Sequence, residues 1–357
     1  MTLLGTPGEV MYAVPVIVAA AAFLVLLVEH LLNAKHARFQ GVYLRSVFIF
    51  PLVSVLAFVG GQYYHLFPWI EVVIGVIEGY IFMLFFGLFV GWAWCNGDVY
   101  ANMFGSARTR VVCYTPVRSC GHRYSSGKAA LASIQWQMYQ FAVVKPLVNL
   151  AKAVSELKSG EVTKPVQLIT GFFNFVSIVI ALRAVLGLYY ALTKGPGVGR
   201  DGKVVDSKIN HNLLQGLSAA YKFIVIKTFL FFIVLNGLVV VPLIIAGTLK
   251  APPQLCDVLD STAPDFTHAC HSRFEAWIIM LESALIMLLA VFCFRHHSID
   301  ALDEQFKGSS SSTCSLFVSV FKFWDVVTVL PRPPGNDGAV GSERSLSSLA
   351  DEPATKV

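Results

Sequence analysis

Met11–Val28 reads MYAVPVIVAAAAFLVLLV, eighteen residues without one charged or amide side chain. A helix at the surface of a soluble protein keeps a polar face, and this stretch has none. It is close to the ~20 apolar residues that a helix needs to cross a hydrocarbon core. The basic residues that open a secretion signal are missing ahead of it, so it reads as a retained span. Six further stretches of this kind follow, and the expected spans lie near 10–32, 44–64, 69–94, 131–153, 166–192, 219–248 and 274–296. Composition agrees: 55% of residues are hydrophobic and 14% charged, against about 25% charged in soluble domains, and mean hydropathy is +0.65.

The fold class that follows is all-α, a polytopic seven-transmembrane helix bundle. Lys and Arg decide its orientation. The first expected loop holds Lys35, Arg38 and Arg45; the third Arg108, Arg110, Arg118, Arg123 and Lys128; the fifth Lys194, Arg200, Lys203 and Lys208. The alternate loops are poorer, with none in the second, Lys158 and Lys164 in the fourth, and Lys250 and Arg273 in the sixth. The positive-inside rule then puts the N-terminus outside and the C-terminus in the cytosol. Residues 1–9 form the external N-terminus, 10–296 the seven-helix domain, 297–330 a cytosolic segment and 331–357 a disordered tail rich in Pro, Gly, Ser and charge. Within 297–330, Cys314–Leu330 (CSLFVSVFKFWDVVTVL) is short for a span and carries Lys322 and Asp325, so it is expected to lie as an amphipathic helix on the cytosolic leaflet. The net charge of +5 comes from basic residues spread over short loops, which is a topology signal and not a nucleic-acid surface.

Charges inside these apolar segments are the candidate functional residues. Glu78, Lys145, Arg183, Lys227 and Glu282 each sit in a span, where an ionisable group is expensive and faces a partner or a watery cavity. Counting at 1.5 Å per residue puts Glu78, Lys145 and Glu282 each about 12–13 Å below the external surface, an acid–base–acid layer from the third, fourth and seventh spans. Lys227 comes from the cytosolic side at a similar depth and Arg183 also lies nearer that side, so a second polar tier is expected there. The fourth span adds Gln140 and Asn149, the latter one turn from Lys145 and on its face, and Pro146 frees backbone carbonyls beside it. Glu71 and Glu275, each seven residues before Glu78 and Glu282, share their faces and read as external helix ends. Lys222 is expected to snorkel to the cytosolic interface. The plain alternative for all these charges is a set of static pairs that pin the bundle together.

Cysteine positions fit the same topology. Cys256 and Cys270 fall in the external sixth loop, where a disulfide is chemically permitted and thirteen intervening residues allow closure. Cys95, Cys113 and Cys120 lie in or beside the basic third loop, where they are either candidate palmitoylation sites or plain thiols. A zinc site from Cys113, Cys120 and His122 lacks a fourth ligand, so neither metal nor cofactor is implied.

The strings around these charges resemble a known family, that of the organic solute transporter alpha subunit and transmembrane protein 184. QFAVVKPL (Gln140–Leu147) resembles its Gln-Phe, Val-Lys-Pro segment, KFIVIK (Lys222–Lys227) its Lys-Phe…Lys segment, and IIMLES (Ile278–Ser283) its seventh-span segment around a central glutamate. Arg45 with Pro51, Glu78, and Asp325–Val327 are weaker echoes, and the likeness runs from about Arg45 to Asp325. The resemblance implies seven helices with an external N-terminus. It also implies facilitated transport of amphipathic organic anions, such as steroid conjugates or bile acids, and for the alpha branch a small single-span partner subunit.

Transport is the first reading: Lys145, Arg183 and Lys227 offset the desolvation of the anion, while Glu78 and Glu282 balance them when the site is empty. Membrane lipids, a small single-span subunit or a second copy are its implied partners, in a plasma membrane or endomembrane. A non-transporting scaffold or trafficking and signalling factor of the transmembrane protein 184 type is the alternative. A rhodopsin-like receptor is disfavoured, because the third span ends Gly91-Trp92-Ala93-Trp94 and the seventh has no Asn-Pro-x-x-Tyr. No nucleophile or metal spacing suggests an enzyme.

Overall fold

The computed structural model describes residues 7–34, 37–95, 110–111, 122–123, 127–159, 164–194, 219–245, 248–256, 259, 266–295 and 316. Away from water a backbone must satisfy its own polar groups, so long apolar sequence folds as helix. Helices α1 (Pro7–Leu32) and α2 (Ala37–Gln62) are joined through a 3₁₀ turn (Tyr64–Leu66) to α3 (Phe67–Cys95). A two-residue antiparallel ladder pairs β1 (Arg110–Val111) with β2 (His122–Arg123). Then come α4 (Gly127–Ser159), α5 (Lys164–Lys194) and α6 (Ala219–Leu235), a π-helical turn (Asn236–Val240) and α7 (Val241–Ile245). Short α8 (Pro253–Cys256) leads to α9 (Phe266–Cys293).

Among the described residues, five helices are long and apolar enough to cross a membrane: Pro7–Leu32, Gln40–Gln62, Tyr64–Val90, Pro165–Tyr189 and Phe266–Cys293. The other two expected spans depart from that pattern for physical reasons. Helix α4 is 33 residues long but diluted by Gln135, Gln137, Gln140, Lys145, Asn149 and Lys152. The sixth expected span runs for 17 residues as α6, widens into the π turn and continues as α7. Pro242 lies just beyond it; its ring crowds the carbonyl four residues back and it has no N–H to donate, which a widened turn accommodates.

Helix ends also differ from the hydropathy boundaries. Helix α9 starts at Phe266 and not near 274, and α4 continues to Ser159 and not 153. Hydropathy marks where the apolar stretch lies, whereas a helix can run on beyond it as polar turns. Arg273, expected in a loop, is therefore inside α9 and 1% exposed, its guanidinium carbon 4.3 Å from the centre of the Tyr12 ring. Its Nη1 donates to Gln62 Oε1 at 3.4 Å. Cys256 of α8 and Cys270 of α9 are joined in a disulfide with Cα atoms 5.3 Å apart. The expected tail helix at 314–330 and the tail at 331–357 lie outside the described residues, Leu316 excepted, as do Cys113 and Cys120; the Cys95 side chain is likewise not described.

Packing sets where the polar groups can meet. Helix α9 packs on α1 and α2 and reaches α6, α2 also packs on α3, α3 pairs closely with α4, and α4 with α5. The α3–α4 approach depends on glycine: a Cβ on Gly79 would collide with the Ala142 backbone and lie 2.8 Å from Ala142 Cβ. A linked aromatic layer sits one turn from the charges: the Phe82 and Phe141 rings meet tilted with centres 4.6 Å apart, Phe50 meets Phe229 edge-on at 5.7 Å, and Phe82 meets Phe229 tilted at 6.3 Å. Phe82 is four residues past Glu78 and Phe141 four before Lys145, so this layer lies about 6 Å along the helices from them.

Candidate functional site

Charges on three helices repeat at intervals of seven residues, which is close to two helical turns and so keeps them on one face. Helix α3 carries Glu71 and Glu78, α9 Glu275 and Glu282, and the antiparallel α4 carries Lys152 and Lys145. All six side chains line one cavity of about 80 Å³ between α2, α3, α4, α5, α6 and α9. The result is two acid–base–acid tiers about 10 Å apart: Glu71, Lys152 and Glu275 in one, Glu78, Lys145 and Glu282 in the other.

In the second tier Lys145 Nζ stands 3.4 Å from Glu78 Oε2, with the two side chains 14% and 13% exposed. Glu78 Oε2 has no aligned hydrogen bond among the described residues, so the contact is an ion pair held by charge. Glu282 Oε2 accepts 3.2 Å from Asn236 Nδ2, a residue of the π turn. Asn149 also lines the cavity and is buried, its Nδ2 donating to the Glu71 carbonyl at 2.6 Å, which pins α4 to α3. That contact needs glycine opposite, since a Cβ on Gly75 would stand 2.9 Å from Asn149 Nδ2. Beyond the first tier, His268 Nε2 and Glu156 Oε1 meet at 3.0 Å.

Glu78, Lys145, Asn149 and Glu282 are thus brought together, and Arg183, Lys227 and Gln140 are not. Arg183 and Lys227 are exposed on the outside of the bundle, where Lys227 Nζ lies 4.9 Å from the Phe223 ring centre. They do not form the tier expected toward the cytosolic side; the tier that accompanies Glu78, Lys145 and Glu282 is Glu71, Lys152 and Glu275, toward the opposite end of the helices. Gln140 bonds across to α5 instead, giving Nε2–H to the Ser177 carbonyl at 2.8 Å and accepting from Ser177 Oγ at 2.9 Å. Lys222 does not snorkel: it is fully buried, with Nζ 4.5 Å from the centre of the Tyr43 ring, where the aromatic face replaces water. Glu71 and Glu275 line the cavity and are not bare helix ends.

Sequence reasoning missed Lys152, Asn174, Asn236 and Gly237, all of which line the cavity. Lys152 was legible as Lys145 plus seven, the same interval as the two glutamate pairs. Asn236-Gly237 ahead of Pro242 marked the broken helix. Asn174 carried no comparable signal.

The family model for the organic solute transporter Ostalpha matches residues 10–195, just over half of the chain. The chain belongs to the Ostalpha family. It is an integral membrane protein of a solute-transporter family. The Ostalpha match takes in α1 to α5, and so Glu71, Glu78, Lys145, Lys152 and Asn174; α6, the π turn and α9 lie beyond it. No curated protein and no solved structure matches the chain.

Proposed function

We propose that this Ostalpha-family protein passes an amphipathic organic solute across the membrane through the tiered cavity, with the solute's own gradient as the driving force. The carrying observation is the convergence of six charged side chains from three helices on one cavity. Such groups inside a membrane protein mark solute and ion paths. On this reading the chain makes seven crossings: the five apolar helices, α4, and the run from α6 through the π turn to α7. The same reading puts the N-terminus outside and the C-terminus in the cytosol, in line with the loop charges. An anionic head would meet Lys145 and Lys152, displacing Glu78 from Lys145, while its apolar body follows Phe50, Phe229, Phe232 and Ile233 on the cavity wall.

The test is uptake of a radiolabelled steroid sulfate into proteoliposomes holding wild type, Lys145→Ala or Glu282→Gln. Saturable uptake, lowered at least about tenfold in both variants, is the expected result. Unchanged flux in both removes these residues from transport. One observation favours a static scaffold as second reading: about 80 Å³ is far below the roughly 300–1,000 Å³ of pockets that hold drug-sized ligands. Transport requires the wall to part, and α5 and α6 touch sparsely beside the π turn. A disulfide locking α5 to α6 stops flux if the helices must separate, and leaves a scaffold's partner binding intact.

A further inference from the structure

Two buried amide oxygens at one corner of the second tier have no donor among the described residues. The Asn236 amide gives its N–H to Glu282 Oε2 at 3.2 Å, and that bond fixes which end of the amide points where. Asn236 Oδ1 is the atom left over; it is buried and meets no donor among the described residues. Asn174 of α5 stands beside the next residue of the turn, since a Cβ on Gly237 would lie 3.5 Å from Asn174 Nδ2. Asn174 lines the same cavity, is 8% exposed, and its Oδ1 also has no donor among the described residues. Buried amide oxygens are costly to leave without a partner, and native structures keep few of them. Around this corner the two tiers carry four glutamates against two lysines, a formal excess of two negative charges.

We propose that Glu282, Asn236 and Asn174 form a binding site for a small monovalent cationic group: a Na⁺ or K⁺ ion, or the ammonium head of an organic solute. One carboxylate and two amide oxygens form a hard, all-oxygen ligand set, and its single formal negative charge balances a single positive one. The broken helix supplies Asn236 from a π turn, a feature that recurs at functional sites. This deepens the proposed function at the same cavity and rests on it for the role in transport, not for binding.

The test uses the purified full-length chain in lipid nanodiscs. Its thermal midpoint is followed while NaCl, KCl or butylammonium chloride replaces choline chloride at constant ionic strength. Saturable stabilisation by at least one of the three is expected. A metal salt acting alone identifies an ion site, and butylammonium acting alone an organic head. Asn174→Leu and Glu282→Gln each raise the half-saturating concentration about tenfold or more, while Lys227→Gln on the bundle exterior leaves it unchanged. Where either polar variant fails to fold, Gly237→Ala narrows the corner without removing a polar group, and a weakened response is again expected. Three titrations that coincide with the choline control, or variants that saturate like wild type, overturn the proposal. Cation binding without steroid sulfate uptake would sink the transport reading alone; uptake without cation binding would sink this one alone.

Discussion

Lys145→Met leaves Glu78 facing an uncharged chain of similar length where an ammonium stood 3.4 Å away. Two unit charges at that distance attract by about 5 kcal/mol at an effective dielectric of ~20. Removing one partner of a buried pair costs about 3–5 kcal/mol, because the survivor stays desolvated and unpaired. The pair retains about a seventh of its exposure, so the lower end, about 3 kcal/mol, is expected. Glu78→Gln costs a similar amount from the other side. The double variant carries no unpaired charge, and its loss should fall short of the sum of the two by about 2 kcal/mol or more. Reversible denaturant unfolding in bicelles measures all four corners of the cycle. Losses that add to within about 0.5 kcal/mol would show that the two groups do not depend on each other, and the tiered arrangement of charges would lose its basis.

Gly79→Val should push α3 away from Ala142 and open the α3–α4 seam, costing about 1–3 kcal/mol by overpacking; Gly87→Val, whose Cβ meets nothing within 4 Å, serves as the control in the same unfolding assay. Arg183→Gln and Lys227→Gln should leave uptake within about twofold of wild type, because both side chains are exposed on the bundle exterior; a tenfold drop in either would place it in the path after all. Cys256→Ser should lower stability by about 3 kcal/mol through the freed loop, and reductant should destabilise wild type but not the variant. Tyr12→Leu should destabilise the N-terminal end of α1 against α9, since the ring carries the Arg273 guanidinium and its hydroxyl bonds the Ala57 carbonyl at 3.4 Å.

Much of the site was legible in the chain, and its limits are physical. Glu78, Lys145 and Glu282 announce themselves because a charge in an apolar run has few places to go. Their shared depth is legible too, since counting at 1.5 Å per residue puts each about 12–13 Å from the same surface. Lys227 and Arg183 sit in runs just as apolar, yet they point out of the bundle. A span's sequence says that a charge must find polar company but not which side of the helix faces inward. The mean hydropathy of a uniformly apolar helix has no direction. Lys222 shows the reverse, a cation expected at the interface that is turned inward onto Tyr43.

Sequence alone settled that this is a membrane-embedded helical chain and which charges had to be accommodated, because backbone hydrogen bonding and the cost of ions in hydrocarbon are local constraints. Tertiary structure decided which of those charges share a cavity. Helix rotation, the Gly79–Ala142 approach and the π turn before Pro242 depend on how neighbouring surfaces fit, and a single helix does not encode its neighbours.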